Sequence, residues 1–484
     1  MRAEVTIIGS GFSGSILAWI LASQGRSVAL VDQARHPRFA IGESSTPIAD
    51  AILDRLGQKY DIPTLRNLSC WGSWQENYPA LACGRKRGFS YLVHQPGEKF
   101  HEEGRGDRSL LVAASPSDYR SDTHWHRSSV DQFLWRHAVE HGVVDLTGHA
   151  VVGIEVSPSG PVKVVCESAD PDSRGSSRFE IESDWLIDAS GSACVVSRYL
   201  PVDKKTDQLR TSTHACFGHF HQVKKWTDIV DPTQRADFEN PFSADDAAQH
   251  HLIDHGWMWM LRFNQGVTSV GYTTLSHQPL PELEFLKSRY PSIKAMLSEA
   301  EIVAPAGGWV RTPRLQRWFS PIPHPRCVML PTAALTLDPL HSTGIAHALA
   351  GVDRVAERVL SGSNSESAWE QYESILSGET NLLDKMVHMA YRNVSHFERF
   401  TVACMLYFAA AIRCEETYQA GLTPSHLWNA GEEQFTDLVD WVDLVIDHAD
   451  QRVISEIRRK LEPWNSAGLM DPEVNNRYAY TATK

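Results

Sequence analysis

A glycine-rich turn near the N-terminal end of the sequence lies between a short apolar strand and a helix. Residues 9–14 read G-S-G-F-S-G, after an apolar run at residues 5–8 and before a helical pattern at residues 15–23. A second apolar run at residues 27–31 completes a β-α-β unit. In such a unit the glycines permit a tight turn, close approach of a pyrophosphate and close helix–strand packing. The pattern predicts a dinucleotide-binding fold rather than a chance glycine turn, with these residues at the cofactor: Gly9, Gly11, Phe12, Ser13 and Gly14.

Two further features indicate which dinucleotide is bound. Asp32 closes the second predicted strand, where a carboxylate can accept a hydrogen bond from a ribose 2′-hydroxyl. The N-terminal position of the glycine-rich turn favours FAD over NAD. Residues 185–191 read W-L-I-D-A-S-G and resemble the return of the chain to the cofactor in FAD-dependent monooxygenases, which would place Asp188 at FAD. A plain strand-to-turn exit is the alternative interpretation of that segment.

Composition excludes several classes of protein. The 484 residues include 46 Lys and Arg against 59 Asp and Glu, a net charge of −13, which argues against nucleic acid or an anionic membrane as partner. The eight cysteines form no C-x-x-C pair and no metal-like cluster, so we expect reduced thiols and no metal site. No signal-peptide block opens the sequence, and the apolar run at residues 401–412 is too short to span a bilayer. We therefore expect a cytoplasmic protein.

The remaining periodicity divides the chain into two parts. Strand patterns occur at residues 162–167, 185–188 and 266–275, with hydrophilic loops predicted at residues 168–177 and 245–251. Beyond residue 343 the pattern becomes helical, at residues 346–360, 366–376, 382–391 and 397–418. We predict an FAD-binding and substrate domain over residues 1–365, with a substrate sheet roughly at residues 85–120 and 205–320. A helical C-terminal lobe is predicted over residues 366–484.

Four further segments resemble flavin-dependent halogenases of the tryptophan-halogenase-like group. They read I-G-E-S-S-T-P at residues 41–47, K-R-G-F at 86–89, G-W-M-W at 256–259 and D-P-L-H-S-T-G at 338–344. Residues 127–134 also resemble the family's R-x-x-x-D-x-x-L helix start, and the resemblance covers roughly residues 4–350. It implies an α/β fold: an FAD-binding Rossmann-like fold of the two-dinucleotide-binding monooxygenase type, with a substrate sheet and a helical C-terminal lobe.

The resemblance also implies roles for individual residues. Lys86 would be the catalytic lysine, whose ammonium group guides hypohalous acid to an electron-rich ring; a solvated lysine in a basic run is the alternative. Thr343 and Gly344 would offer backbone N–H groups to a halide, where an ordinary helix N-cap is the alternative. Residues expected at the cofactor are Glu43, Ser44, Arg127 and Asp338.

The remaining implied roles concern the route to the substrate. Trp257 and Trp259 would line the channel between flavin and substrate, although tryptophans spaced two apart on a strand also occur as core residues. His341 could donate to a flavin carbonyl or shuttle a proton near neutral pH. It occupies a position where tryptophan-type members carry a glutamate, which weakens free tryptophan as the substrate.

Two segments depart from the family pattern. Residues 260–262 read M-L-R where the family has x-I-P, so Arg262 puts a charge at a corner that is usually apolar. Residues 330–334 read L-P-T-A-A where the family has G-D-A-A, so Pro331 and Thr332 replace glycine and an acid that binds the cofactor. The second departure predicts weaker FAD binding.

The sequence thus predicts an enzyme that uses reduced FAD, O₂ and chloride or bromide to halogenate an indole, pyrrole or phenol, free or carrier-bound. The sequence has no second G-x-G-x-x-G, so we expect a separate flavin reductase to supply reduced FAD. A homodimer is the expected assembly. One alternative is an FAD-dependent monooxygenase or oxidoreductase of an aromatic or isoprenoid substrate. Another is a flavin- or partner-binding protein that has lost its redox activity.

Overall fold

Strands and helices alternate along the first two thirds of the chain, and helices dominate the rest. The computed structural model describes residues 1–101, 106–157, 160–170, 178–230, 240–362 and 366–482. The strands are β1 (Arg2–Ile8), β2 (Val28–Asp32), β3 (Cys83–Lys86), β4 (Gly88–Val93), β5 (Ser109–Ala113), β6 (Asp122–Trp125), β7 (Val144–Thr147), β8 (His149–Glu155), β9 (Val162–Ser168), β10 (Phe179–Asp188), β11 (Thr213–His221), β12 (Ala247–Ile253), β13 (Gly256–Arg262), β14 (Thr268–Leu275), β15 (Glu301–Ala304), β16 (Val310–Arg314), β17 (Arg317–Trp318), β18 (Cys327–Met329), β19 (Leu335–Thr336) and β20 (Arg477–Tyr478).

The helices follow the same chain order. They are α1 (Phe12–Ser23), α2 (Pro47–Lys59), α3 (Pro63–Asn67), α4 (Trp71–Asn77), α5 (Arg127–Glu140), α6 (Trp226–Ile229), α7 (Leu283–Arg289), α8 (Pro291–Met296), α9 (Pro331–Ala334), α10 (Gly344–Ser361), α11 (Glu366–Arg392), α12 (Phe397–Gln419), α13 (Glu433–Val445) and α14 (Gln451–Leu461).

The first sheet carries the predicted dinucleotide fold. Its strand order is β7-β2-β1-β10-β9-β8, with β18 also paired to β10. Strands β7, β2, β1, β10 and β18 run parallel to one another, and β9 is antiparallel to both of its neighbours, β10 and β8. Parallel strands are buried on both faces, which explains the continuous apolar runs of β1 and β2. The β-α-β unit predicted from the glycine-rich turn is present.

The second sheet is mostly antiparallel and has the order β15-β11-β14-β13-β12-β4-β5-β20, with β16 also paired to β11. The C-terminal strand β20 runs parallel to β5 through the pairs Arg477–Leu111 and Tyr478–Val112. Short strands β3 and β6 form a separate antiparallel pair that places Lys86 opposite Asp122. This sheet lies in the region predicted to hold substrate, although the proposed domain boundaries remain predictions.

The prediction of a hydrophilic loop at residues 245–251 is wrong, because most of that segment is strand β12. Its polar side chains are buried in the sheet and bonded there. Gln249 Nε2 donates to the carbonyl oxygen of Ala244 over 2.8 Å, and the rings of His251 and His94 share a 3.0 Å hydrogen bond. These polar side chains can be buried in a strand because each has a hydrogen-bond partner, so a polar composition does not by itself indicate a loop. Most of the other predicted loop, at residues 168–177, lies outside the described residues.

The helical part differs from prediction at one point. Two helices were expected at residues 366–376 and 382–391, but α11 is a single helix from Glu366 to Arg392. The polar run between them contains Gly378 and Glu379. Glu379 is fully buried and accepts hydrogen bonds from Arg354 and His347 on α10. This ion cluster favours a continuous helix over a turn.

The helical part packs on the first sheet and on the second. One core cluster includes residues of α1, α10, α11 and α12 together with residues of β4 and β13. None of the helices in the described part of the chain combines the length and apolar content needed to cross a bilayer.

Candidate functional site

The glycine-rich turn and the D-A-S-G segment lie side by side, as the ends of neighbouring parallel strands. Ile8 of β1 is in register with Asp188 of β10. Gly9 has a φ of +105°, and a Cβ there would overlap the backbone of Ala189. A Cβ at Gly14 would overlap the carbonyl oxygen of Gly9. Only glycines allow this close packing, so the turn has the geometry expected of a dinucleotide-binding loop.

The start of α1 is electrically suited to a pyrophosphate. Gly11 is the N-cap residue and offers no side-chain cap, so the first N–H groups of the helix are available. A Cβ at Gly11 would lie 3.8 Å from guanidinium nitrogens of both Arg127 and Arg38, and 3.6 Å from the carboxylate of Asp131. Arg127 also stacks over the ring of Phe12, at 4.6 Å from its centroid. Two guanidinium groups beside a bare helix N-terminus fit the phosphates of FAD.

Asp32 lies at the end of β2, where the ribose contact was predicted. Its Oδ2 accepts hydrogen bonds from the backbone N–H of Ser10 over 2.8 Å and from Arg38 over 2.8 Å. Its Oδ1 accepts from the N–H of Ala34 over 2.9 Å. These bonds orient the carboxylate at the rim of the glycine-rich turn. The ribose contact itself stays a prediction.

Two other predicted cofactor residues have both carboxylate oxygens bonded to protein groups. Asp188 is fully buried and accepts from the N–H groups of Ser190 and Val196, each over 2.8 Å. It thereby shapes the turn that packs on Gly9. Asp338 accepts from the N–H of Leu340. Their contacts to FAD stay predictions, and the structure shows them as residues that support the surrounding turns.

Asp338 also joins three parts of the fold. Its Oδ2 accepts hydrogen bonds from Thr213 Oγ1 on β11 over 2.8 Å and from the Tyr391 hydroxyl on α11 over 3.0 Å. Burial raises the pKa of Asp338 to about 6, despite the hydrogen bonds from Thr213 and Tyr391, which favour the charged form.

The segment at residues 41–47 lies between the two sheets. Arg127 donates to the carbonyl oxygens of Ile41 over 2.7 Å and Gly42 over 3.1 Å. The buried Glu43 is hydrogen-bonded to Nε2 of His219 over 2.6 Å. Ser44 forms an isolated β-bridge with His124. The segment is thus fixed from one side by the predicted pyrophosphate arginine and from the other by the substrate sheet.

The departure at residues 331–332 lies directly against the glycine-rich turn. The hydroxyl of Thr332 is 3.0 Å from that of Ser13, and Arg317 donates to the carbonyl oxygen of Thr332 over 3.1 Å. Pro331 packs against Gly351, where a Cβ would overlap its ring. A neutral hydroxyl therefore faces the loop where the family has an acid. Whether FAD binds more weakly as a result stays a prediction.

The halide residues predicted at Thr343 and Gly344 begin α10. Thr343 is its N-cap residue, and its side chain makes no cap hydrogen bond. Gly344 is exposed, and a Cβ there would meet no atom within 4 Å. Ser342 before them has a φ of +55°, in the left-handed region. The open helix N-terminus can accept an anion, while the halide assignment remains a prediction.

Lys86 is fully buried, so the alternative of a solvated lysine is wrong. It ends β3, and its Nζ donates to the carbonyl oxygen of Ser45 and lies 3.9 Å from the ring centroid of Phe89. Arg85 and Arg87, its neighbours in the basic run, both pair with Asp118. Alternation along the strand turns the lysine inward and leaves the arginines partly exposed.

His341 is fully buried in an aromatic cluster. Its ring stacks on Tyr407 at 4.3 Å, and Nδ1 lies 3.5 Å from the hydroxyl of Tyr91. Burial, with a smaller contribution from His250, lowers the pKa of His341 to about 3. The imidazole is therefore neutral at neutral pH, which argues against the predicted proton shuttle. Tyr407 in turn donates to the carbonyl oxygen of His341 over 2.9 Å.

The two tryptophans of β13 point to one face, with ring centroids 5.8 Å apart. Trp257 Nε1 donates to the Tyr391 hydroxyl over 2.9 Å, and Trp259 Nε1 donates to Ser269 over 3.2 Å. Both are buried, as core packing and a channel wall would each require. Arg262 does not add a positive charge beside the two tryptophans, because its guanidinium group forms an ion pair with Asp245 over 2.8 Å.

A small cavity of about 20 Å³, room for about one water molecule, lies beside Phe89. Its walls come from the start of α2, from β4 and β5, from α12 and from the segment after β20. Its lining residues include Thr46, Phe89, Phe408, Ile412, Glu415 and Ala482. Because the Phe89 ring contacts Lys86 and also lines the cavity, the ammonium group lies next to this space.

Sequence reasoning missed several residues of this region. Arg38 lies six positions after the end of β2 and belongs to no recognisable motif. His219 lies on a strand that is far in sequence from its partner, Glu43. Glu415 left a weak signal, since Phe408, Ile412 and Glu415 share the i, i+4, i+7 spacing of one helix face. An acidic residue on an otherwise apolar helix face is unusual, and this spacing could have identified Glu415 from the sequence.

Comparison with known proteins agrees with this geometry. Residues 4–273 match the family of FAD-dependent oxidoreductases. The tetracycline 7-halogenase of Kitasatospora aureofaciens is 28% identical over 427 residues, covering 84% of this chain and 73% of that protein. The monodechloroaminopyrrolnitrin halogenase PrnC of Pseudomonas fluorescens is 25% identical, covering 79% of this chain and 66% of that protein.

Solved structures share the fold at lower identity. Halogenase PltM, in complex with phloroglucinol and FAD, has a TM-score of 0.83 and 22% identity over 99% of this chain and 100% of its own. The flavin-dependent brominase Bmp2 has a TM-score of 0.61 and 18% identity over 96% of this chain and 99% of its own. The predicted α/β FAD-binding fold and the resemblance to flavin-dependent halogenases are confirmed.

Proposed function

The chain belongs to the FAD-dependent oxidoreductase family, and on this premise we propose that it halogenates an electron-rich aromatic substrate with Lys86 as the catalytic residue. FAD is its cofactor, and the chain's similarity to halogenases over 84% and 79% of its length supports FAD-dependent halogenation. The observation that carries the proposal is a fully buried ammonium group next to an aromatic ring, with Lys86 Nζ 3.9 Å from the ring centroid of Phe89.

The proposed site has two groups of residues. The cofactor end consists of the glycine-rich turn, Asp32, Arg38 and Arg127, and the substrate end lies around Lys86 and Phe89. The α1 N-terminus, with Arg127 and Arg38 beside it, would hold the pyrophosphate, and Asp32 would hold the ribose. Bound in its reduced form, FAD supplies the two electrons with which O₂ oxidises chloride or bromide to hypohalous acid. The open N-terminus of α10 at Thr343 and Gly344 would bind the halide without neutralising its charge.

Lys86 would then direct the oxidant. Its buried ammonium would donate hydrogen bonds to the oxygen of hypohalous acid and polarise the O–X bond toward the bound aromatic ring. The ring carbon gains the halogen and loses a proton, which leaves with the hydroxide as water. Burial matters because an ammonium group interacts more strongly with a polar oxidant where water is excluded. Phe89 and Phe408, whose rings are 5.2 Å apart, form the aromatic wall against which the ring would pack.

Several finer points belong to the same proposal. We infer a separate flavin reductase as the source of reduced FAD, because the sequence has no second dinucleotide motif. A cytoplasmic location and a homodimer are part of the proposal too. The substrate would be a small indole, pyrrole or phenol, free or carrier-bound.

The proposal is tested by incubating the protein with FAD, a flavin reductase, NADH, O₂ and bromide over a panel of indoles, pyrroles and phenols. Mass spectrometry then detects the isotope doublet of bromine in the product. We expect the doublet to disappear in Lys86→Met and to persist in Lys224→Met, whose lysine is partly exposed and pairs with Glu299. Flavin absorbance of each purified variant identifies a folding defect. Oxygenated products without bromine, or an undiminished doublet in Lys86→Met, would contradict the proposal.

A further inference from the structure

Lys86 and Asp122 face each other across the short strands β3 and β6. The two residues are directly opposite partners in this antiparallel pair, and both are fully buried. Opposed residues of an antiparallel pair direct their side chains to the same face of the sheet, with Cβ atoms about 5 Å apart. An ammonium group and a carboxylate therefore point into the interior from neighbouring positions.

The arginines on either side of Lys86 have an acidic partner on the other face. Arg85 and Arg87 both pair with Asp118, whose side chain is 50% exposed. Side chains alternate along an extended chain, so Lys86 points away from Asp118. The acid that lies opposite the inward-facing lysine is Asp122.

Two buried histidines near Lys86 add no positive charge to this region. Burial and then the charge of Lys86 lower the pKa of His124, two residues after Asp122, to about 3. Burial is also the main cause that lowers the pKa of His250 on β12 to about 3, and the charge of Lys86 adds to it. Both imidazoles are therefore neutral near neutral pH, and the charge of Lys86 reaches β6 and β12.

The charge of Asp122 reaches α12 on another side of the same region. Burial raises the pKa of Tyr407 well above its ordinary value, with the charge of Glu415 as the next contribution and that of Asp122 as a smaller one. The phenol is therefore neutral near neutral pH. The carboxylate of Asp122 faces the interior, as its position opposite Lys86 requires.

A buried ammonium group needs a compensating charge to keep its proton. Burial disfavours the charged form of a lysine, and an opposite charge within about 4–6 Å favours it. The side chain of Lys86 also contacts the carbonyl oxygen of Ser45 and the ring of Phe89. These two partners orient the ammonium group but carry no net charge. A carboxylate opposite the lysine supplies the charge that they lack.

We propose that Asp122 is a positioning residue for halogenation, because its carboxylate keeps Lys86 in the ammonium form and holds it in place at the end of β3. The inference rests on the proposed function for the role of Lys86, but the charge of Lys86 can be measured without turnover. Lys86 would contact the oxidant, and Asp122 would act through Lys86. The ammonium form matters because a charged donor forms stronger hydrogen bonds than a neutral amine.

The first test measures the protonation of Lys86 directly. The full chain, loaded with FAD, is prepared with lysine that carries carbon-13 at Cε, and the resonance that is absent from Lys86→Met belongs to Lys86. This resonance moves when the amine loses its proton, so a pH titration reports that step. We expect Lys86 to lose its proton in Asp122→Asn at a pH about one unit or more below that of wild type. An unchanged titration would overturn the inference.

Asp118→Asn is the matched control, because it removes a carboxylate from the other face of the same region. Lys86 should titrate in it as in wild type, and a shift as large as that in Asp122→Asn would overturn the inference. If Asp122→Asn does not fold, adding Lys86→Met should restore folding, because no uncompensated ammonium group is then buried. A double variant that also fails to fold would count against the inference.

The pH dependence of turnover is a readout that a merely structural role would not move. Single turnovers with photochemically reduced FAD, O₂ and bromide avoid the pH dependence of a reductase. The rate of Asp122→Asn should fall at a lower pH than that of wild type and recover as the pH is lowered. A loss of rate by the same factor at every pH would overturn the inference.

The two readouts separate this inference from the proposed function. If Asp122→Asn shifts the titration of Lys86 but wild type forms no brominated product, halogenation fails while the effect of Asp122 on the charge of Lys86 stands. If bromination needs Lys86 but Lys86 titrates alike in Asp122→Asn and wild type, halogenation stands and the inference fails.

Discussion

Oε1 of Glu43 lies 2.6 Å from Nε2 of His219, with both side chains buried. Glu43 belongs to the segment at residues 41–47, and His219 lies on β11 of the second sheet. The pair therefore connects the segment that Arg127 holds at the predicted pyrophosphate site to the sheet that carries Trp257 and Trp259. Removing one member leaves a buried polar group without its partner, which is costly.

We expect Glu43→Ala to destabilise the protein by about 3–5 kcal/mol and to weaken FAD binding. The double variant Glu43→Ala with His219→Leu should be less destabilised than the sum of the two single changes, because they share one interaction. Thermal unfolding with and without FAD measures both effects. Strict additivity of the two changes would show that the pair does not join the segment to the sheet.

The close packing of Gly14 against the carbonyl oxygen of Gly9 leads to a second prediction. Gly14→Ala would place a Cβ into the carbonyl oxygen of Gly9, so the turn must open and the α1 N-terminus must shift. FAD affinity should fall by more than about ten-fold. Gly307→Ala is the control, because a Cβ there would meet no atom within 4 Å. Fluorescence titration of FAD compares the two, and equal affinities would argue against this turn as the FAD site.

These two sites differ in how far sequence reasoning could reach them. The glycine-rich turn, the D-A-S-G segment and the segment with Lys86 are short contiguous patterns, so the residues that form each feature can be read from one stretch of sequence. The Glu43–His219 pair joins residues 176 positions apart, and no periodicity marks such a contact. The order of strands in the second sheet likewise depends on pairing between distant segments.

The failures of prediction have one physical cause. Residues 245–251 and the middle of α11 look polar, and polarity indicates a loop when each residue is judged alone. In the fold, Gln249, His251 and Glu379 are buried with hydrogen-bond partners from other elements. Tertiary partners that sequence does not reveal therefore decide these segments.

The pKa of Asp338 gives a prediction for the pH dependence of stability. Burial raises this pKa to about 6, above the ordinary value of 3.8, so the folded protein binds a proton more tightly than the unfolded chain. The stabilisation is fully present below pH 3.8 and is lost as the pH rises through 6, a difference of about 3 kcal/mol. The melting temperature of wild type, relative to that of Asp338→Asn, should accordingly be higher at pH 4 than at pH 7. A gap that does not change with pH would contradict this.

Glu379 should show the opposite dependence. Burial alone would raise its pKa, but the charge of Arg354 and the hydrogen bonds from Arg354 and His347 outweigh burial and hold the pKa well below its ordinary value. Its stabilisation is therefore present above the ordinary pKa of 4.5 and decreases on acidification. Glu379→Gln should melt below wild type at pH 7, with a gap that narrows toward pH 3. Parallel melting curves of the two proteins across this range would refute the role of the ion cluster.

The segment after β20 offers a test of access to the cavity beside Phe89. Ala482 lines the cavity, and Thr481 before it is held to β5 by hydrogen bonds from its N–H and its hydroxyl to the carbonyl oxygen of Ala113, at 3.0 and 2.7 Å. The cavity holds about one water molecule, so an aromatic substrate can enter it only if its walls move apart. Ala482→Phe would obstruct that movement without changing Lys86 or the residues predicted to bind FAD. We expect kcat/KM for a naphthol to fall about ten-fold or more, and kcat/KM for a one-ring phenol to change less. Ala420→Phe, at the exposed end of α12, is the control and should leave both values unchanged. If the naphthol reacts with Ala482→Phe as it does with wild type, the substrate does not occupy this cavity.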